Sequence, residues 1–222
     1  MSQLDLLKVE EIEQAKKYQC VVTDFPWYYK LRPDDVTHRN RITYKPMKYE
    51  ELKALPMPDL LDPSGGIAFM WYTANHMIEM AKLIEYWGFE HKGTFDWVKV
   101  SKAGTTRMGA GNWFRNSLEH CAIVKVGKIP AFCNVSKVAS RTPNFLKTEE
   151  EVEDVLDDFP TELRAQRREH SRKPDEFYRL VEQVFNDVCP DANKLDMFTR
   201  QVREGWDAYG DQIDYFEAEK HD

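Results

Sequence analysis

The amino-acid sequence predicts an α/β fold, a mostly parallel sheet with helices on both faces, and three features carry that expectation. Strand-length apolar runs alternate with helical patterns along the chain. One run, Ile67 to Tyr72, is continuously apolar, as a strand covered on both faces must be. Pro174 to Val188 reads as an amphipathic helix able to cover such a sheet. The 222 residues suit one domain, 1–222, with loop insertions near 28–48, 101–113 and 140–170.

Taken in order, Tyr18 to Thr23 is a short buried strand. Residues 28–48 are too polar and irregular for core and form a long excursion of the kind that carries function. Met47 to Leu55 has a helical pattern that stops at Pro56, and Pro56, Pro58 and Pro63 punctuate a loop leading to Gly65-Gly66. After the strand Ile67 to Tyr72, Asn75 to Trp87 places Met77, Ile78, Ala81 and Ile84 at helical spacing, and Gly88 is set to end that helix. Thr94 to Val100 alternates as a strand. Ser101 to Gly111 holds three glycines and is expected to be mobile. Cys121 to Val126 is a further apolar strand, and 140–170 is polar and irregular. In the helix Pro174 to Val188, Pro174 fits the first helical position and Asp175 and Glu176 suit the positive end of the dipole. Phe177, Leu180, Val181, Val184 and Phe185 repeat on one face. Leu195 to Phe198 is a last short strand.

Hydrophobic residues make up 42% of the chain and aromatics 13%, enough for a substantial core. No apolar run approaches a membrane span, and Met1 to Lys17 alternates charged with apolar residues, so neither a signal peptide nor an anchor is expected. Cys20, Cys121, Cys133 and Cys189 are scattered, with no C-x-x-C pair, as for reduced thiols in a cytoplasmic protein. The net charge of −7 argues against nucleic-acid binding through global charge. Two stretches nevertheless run basic: Lys30, Arg32, Arg39, Arg41, Lys45 and Lys48, and then Lys99, Lys102, Arg107 and Arg115. They read equally as a local phosphate-contacting face and as ordinary solvated loops.

Neither G-x-G-x-x-G, nor a P-loop, nor H-E-x-x-H is present. His120 and His170 stand beside motif-like residues, but neither has a partner at metal spacing, and no metal is expected. Three stretches stand out in order. T-D-F-P-W lies at 23–27, E-H-S-R-K-P-D-E at 169–176, and L-D-M-F-T-R followed by G-W-D-A-Y-G-D-Q at 195–212. Together with G-N-W-F-R-N-S-L-E-H-C-A-I-V-K, they resemble the adenine-N6 methyltransferases marked by D-P-P-W. That family includes the catalytic subunit of the eukaryotic messenger-RNA methyladenosine writer and bacterial and phage relatives that act on DNA. The resemblance runs from about Tyr18 to Gln212.

That resemblance implies a fold, a cofactor and a set of site residues. The fold would be a Rossmann-like class I methyltransferase sheet, permuted so that the catalytic motif precedes the cofactor motif, and the cofactor would be S-adenosyl-L-methionine. Asp24 and the Phe25 carbonyl would accept the two N–H groups of the adenine amine, Trp27 would stack on the base, and Pro26 would fix the turn. Phe25 stands where the family has its first proline, which removes a rigid ring but keeps the carbonyl. Lys173 would meet the cofactor's carboxylate, although it also reads as an exposed lysine at a helix start. His170 and Ser171 would shape the adjoining wall. Asp196, Phe198, Arg200, Asp211 and Gln212 complete the expected cofactor set, with Asp196 in place of glutamate and Asp211 in place of asparagine. Tyr28, Asn112, Trp113, Arg115 and Glu119 are the expected contacts to the target strand, and Glu119 reads equally as a strand-edge ion pair. The substrate expected is DNA, with RNA the first alternative and an inactive nucleic-acid-binding or scaffold subunit the second. The acidic net charge leaves room for a second copy or a partner subunit.

Overall fold

β-Branched and thiol side chains in C-V-V-T-D form β1, Cys20–Asp24, an interior strand of the sheet. A computed structural model describes residues 16–29, 44–109, 115–128, 161–169 and 172–218. Successive residues of β1 face opposite ways: Val21 enters one apolar cluster, Cys20 and Val22 the other. Both neighbours of β1 are parallel to it. Val22 pairs with Phe69 of β2, Gly65–Tyr72, on one side and with Asp196 of β6, Lys194–Met197, on the other.

The remaining strands are β3, Glu90–Val100; β4, Leu118–Gly127; β5, Glu162–Gln166; and β7, Asp207–Tyr209. The sheet order is β5-β3-β4-β2-β1-β6-β7. Only β4 runs against the rest, between β2 and β3, so the expected mostly parallel sheet is what forms. Every other strand ends at one edge, the edge at which β4 begins. Ligands of open α/β sheets bind outside such carboxyl ends.

Helices cover both faces, as expected. α1, Tyr49–Lys53, α2, Met57–Leu60, and α3, Met77–Tyr86, pack Leu52, Met57, Leu60, Met80 and Leu83 with Val21 and Met70. α4, Asp175–Val188, buries Phe177, Leu180, Val181 and Phe185 against Val22, Phe69 and Trp71 on the other face. The chain thus leaves β1 over one face and reaches β6 over the other, which makes the end of β1 a topological switch point of the kind where open α/β sheets bind ligands. A short α5, Tyr215–Ala218, follows β7.

Several boundaries differ from expectation for physical reasons. Met57–Leu60 forms a helical turn inside the proline-punctuated loop because Pro58 sits in its first turn, where a missing N–H costs nothing. Asn75 splits off with its neighbours into a 3-10 turn, Ala74–His76, ahead of α3. Pro174 caps α4 with extended backbone (φ −65°, ψ 138°) instead of opening the helix. β5 and β7 arise where no strand was expected. Both lie at sheet edges, where one-sided pairing needs little apolar sequence.

Gly127 closes β4 with φ 62°, and a Cβ there would lie 2.5 Å from the Pro63 carbonyl oxygen. Gly127→Ala combines a left-handed backbone with that clash, and a stability loss of about 2 kcal/mol or more is expected. The urea midpoint is the measurement.

Candidate active site

Asp24 ends β1 at this switch point, with 27% of its side chain exposed, on the same face of the sheet as α4. The chain then turns sharply: the Trp27 N–H donates to the Phe25 carbonyl at 2.8 Å, bracketing Pro26. Pro26 and Tyr28 are zipped to Met47 by hydrogen bonds of 2.7 Å and 3.0 Å. The Phe25 ring is fully inside, edge-on to Trp27 at 5.7 Å and against Trp87 and Phe198. Where a proline would stiffen the turn, the phenyl ring anchors it from below. Its carbonyl keeps a second lone pair.

Lys173 is the cation of this site. Its Nζ donates to Asp24 Oδ2 at 2.6 Å and lies 3.0 Å from Glu119 Oε2, while Lys99 Nζ meets Glu119 Oε1 at 2.5 Å. Only 6% of the Lys173 side chain is exposed, which overturns the exposed helix-start reading. The loop before α4 drives it under the carboxyl ends, over the Trp71 ring at 5.5 Å. The row Lys99–Glu119–Lys173–Asp24 alternates in sign, and its protonation states follow from that order. Burial raises the Asp24 carboxyl above its ordinary range; the pull of its one direct cation, Lys173, does not offset this. Glu119 is buried too, but it holds two lysines, which bring it down to about 2. Burial would lower the Lys173 ammonium, yet its two carboxylates hold it well above the usual lysine value.

Glu119 therefore contributes stability that is complete above its ordinary 4.5 and is lost as pH falls towards about 2. Glu119→Gln is expected to flatten the acid limb of the stability profile across that window, as followed by circular dichroism.

Asp196 is 3% exposed and points under α4. Its pKa is pushed up to about 6 by burial, against Arg203, whose Nε lies 3.7 Å away. Arg203 also donates to Asp175 Oδ1 at 3.1 Å and stacks on Tyr178 at 3.6 Å. Asp196 thus braces the turn after β6. That turn is strained: Phe198 has φ 56°, and a Cβ on Gly210 would lie 3.1 Å from its Cα. The close approach brings 210–212 against 198–200. Arg200 stacks on Tyr215 at 3.6 Å, Gln212 is half-buried and Asp211 is exposed.

Of the expected strand contacts, Tyr28 is 44% exposed beside Lys48, and Arg115 is exposed with its guanidinium on the Met108 carbonyl. Asn112, Trp113, His170 and Ser171 lie outside the described residues. The ion-pair reading of Glu119 is realised inside the site itself. Three side chains lie at the site or its aromatic turn without standing in the expected set of site residues: Lys99 on Glu119, and Tyr29 and His76, whose rings meet at 4.7 Å beside Trp27. Lys99 had a signal, since it follows Phe95 and Trp97 on one strand face. Tyr29 stood in the aromatic run after Pro26. His76 had none beyond following a strand. His120, unpartnered in sequence, pairs through Nδ1 with Asp96 at 2.5 Å. No group that could hold a metal occurs among the described residues.

This geometry has relatives. The MT-A70 family matches residues 18–212. The chain belongs to the MT-A70 family. Family membership and the observed sheet agree on a Rossmann-like α/β methyltransferase fold. The chain is 27% identical to the type II methyltransferase M.MunI of a Mycoplasma species, covering 89% of this chain and 78% of that protein. It is 27% identical to an MT-A70-like N(6)-adenosine-methyltransferase of Arabidopsis thaliana, covering 88% of this chain but 24% of the relative. With the human N(6)-adenosine-methyltransferase catalytic subunit METTL3 the identity is 25%, covering 89% of this chain and 28% of that protein. The chain therefore spans about a quarter of the length of those two longer relatives.

Proposed function

We propose that this chain, acting as a single domain, transfers a methyl group from S-adenosyl-L-methionine to the N6 amine of adenine in DNA. The observation that carries it is Asp24, a carboxylate held at the carboxyl end of the interior strand β1, beside a buried lysine and an aromatic turn. The donor set suits the cofactor. Lys173 is a cation for its carboxylate, Asp211 and Gln212 offer acceptors for ribose hydroxyls, and Gly210 lets 210–212 lie close against the Phe198 backbone. Arg200 and Phe198 line the same turn, Asp196 holds it through Arg203, and His170 and Ser171 precede Lys173 in sequence. When bound, S-adenosyl-L-methionine supplies an electrophilic methyl carbon.

The rest is done by the chain. An adenine amine is a weak nucleophile because its lone pair is delocalised into the ring. Asp24 Oδ and the Phe25 carbonyl oxygen accept its two N–H bonds and turn the lone pair outward. As nitrogen becomes cationic those same acceptors stabilise it, and Asp24 is placed to take the departing proton. The raised Asp24 pKa suits a group that accepts a proton at neutral pH.

DNA is favoured over RNA because this chain spans most of M.MunI and a small part of the adenosine methyltransferases. Radiolabelled methyl transfer to duplex DNA, single-stranded DNA and RNA of one sequence tests it; incorporation into RNA alone would overturn the substrate. Calorimetric titration with S-adenosyl-L-methionine separates an enzyme from a scaffold, which would release no heat. Among the described residues no helix is long and apolar enough to cross a membrane.

Exposed cations at the same edge support a polyanionic substrate. Lys102 and Arg107 follow β3, Arg107 N–H bonding the Lys99 carbonyl at 2.7 Å, and Arg167 follows β5, its N–H on the Val100 carbonyl at 3.2 Å. Replacing all three by alanine is expected to weaken duplex binding. It should also make the plot of log affinity against log salt shallower by about 0.9 per lost phosphate contact. An unchanged slope would remove them from the interface.

A further inference from the structure

His76 ends the 3-10 turn that follows β2. Its imidazole lies flat on the Trp27 indole, with centroids 4.6 Å apart and planes 10° from parallel. The Tyr29 ring meets the same imidazole edge-on at 4.7 Å and 73°. A flat heterocycle thus occupies a slot with two aromatic walls, and Trp27 is left 5% exposed.

Both walls are fixed from outside the slot. Trp27 Nε1 donates to the Trp71 carbonyl at 3.3 Å, the Phe25 ring abuts the indole, and the Tyr29 hydroxyl bonds Thr73 Oγ1 at 2.9 Å. The slot follows Asp24 closely in sequence, Trp27 standing three residues after it on the turn that leaves β1. His76 is held far less firmly than its walls. Its Nε2 is buried with no hydrogen-bond partner among the described residues, and it joins the 3-10 turn to α3 between exposed Asn75, Met77 and Ile78. Burial lowers its pKa and so favours the neutral ring, which can leave without breaking an ion pair. An unsatisfied nitrogen buried between two well-anchored rings is explained if the slot is built for a larger heterocycle with polar edges.

We infer that His76 is a plug in the Trp27–Tyr29 slot, the resident stand-in for the adenine that the proposed reaction stacks on Trp27, and that it swings out when the base enters. This rests on the proposed adenine substrate. It assigns His76 control over base entry: an incoming base must replace the imidazole stack before its amine reaches Asp24, so bases already unstacked are preferred.

The test uses the full chain and two fluorescent single strands of equal length, one oligodeoxyadenylate and one abasic. His76→Ala is expected to bind the adenylate strand about tenfold more tightly, one stacking contact no longer having to be displaced, and the abasic strand unchanged. His76→Phe refills the slot and is expected to return adenylate affinity to the wild-type level. Should His76→Ala fail to fold, His76→Gln removes the stack with a polar side chain and carries the same expectation. Equal affinities of variant and wild type for adenylate, or equal weakening for both strands, would make His76 a packing residue and overturn the plug. Base-selective tightening without methyl transfer would keep the plug and remove the proposed reaction. Methyl transfer with no base-selective change would do the reverse.

Discussion

Asp24→Ala is expected to lower methyl transfer on the order of a thousandfold while leaving the cofactor dissociation constant within a few-fold. The expectation rests on what Asp24 touches. In the proposed reaction its carboxylate is the acceptor at the end of β1, and the alanine would remove one of the two oxygens proposed to hold the amine. Cofactor binding is spared because Lys173 keeps Glu119 as a partner at 3.0 Å and stays in position. Asp24→Asn is the sharper variant. It preserves shape and one oxygen but cannot take a proton or balance a cationic nitrogen, so it should lose nearly as much. Single-turnover rates beside calorimetric cofactor titration measure both quantities. Parallel loss of turnover and cofactor affinity would make Asp24 a cofactor or structural residue.

The second large effect lies one residue along the charged row. Lys173→Met should destabilise the protein by about 3–5 kcal/mol, because it leaves two carboxylates facing each other with a single cation, Lys99, on the far side. Most of that loss reflects unpaired buried charge, not the worth of the original ion pairs. Adding Glu119→Gln to Lys173→Met should therefore recover part of the stability, and denaturant titration of the four members of this cycle gives the coupling. Additive losses would show that Glu119 and Lys173 do not share one buried network. Lys173→Met should also weaken cofactor binding, whereas Glu119→Gln alone should weaken it less.

Much of the fold is legible in the sequence because the signals are local. The continuous apolar run of β2 and the one-sided repeat of α4 each span a few turns or pleats, and each forms the expected element within two residues of its expected start. The order of the four motif stretches likewise identifies the family from neighbouring residues alone. The short edge strands β5 and β7 are not legible, since a strand paired on one side shows little apolar pattern.

The site divides along the same line. Residue types at Asp24, Pro26, Trp27 and Lys173 are readable, but their contacts are not. Lys173 reaches Asp24 across 149 residues of sequence, and that contact turns an apparent surface lysine into a buried counter-ion. Likewise, the sequence places Asp196 among ligand-binding residues, while the alternation of β6 turns it under α4 towards Arg203. His76 carries no signal at all until packing sets it between two rings. Periodicity and motif order are properties of the chain over short distances. Charge pairing and ring stacking depend on which strands come to lie side by side, and only the folded sheet decides that.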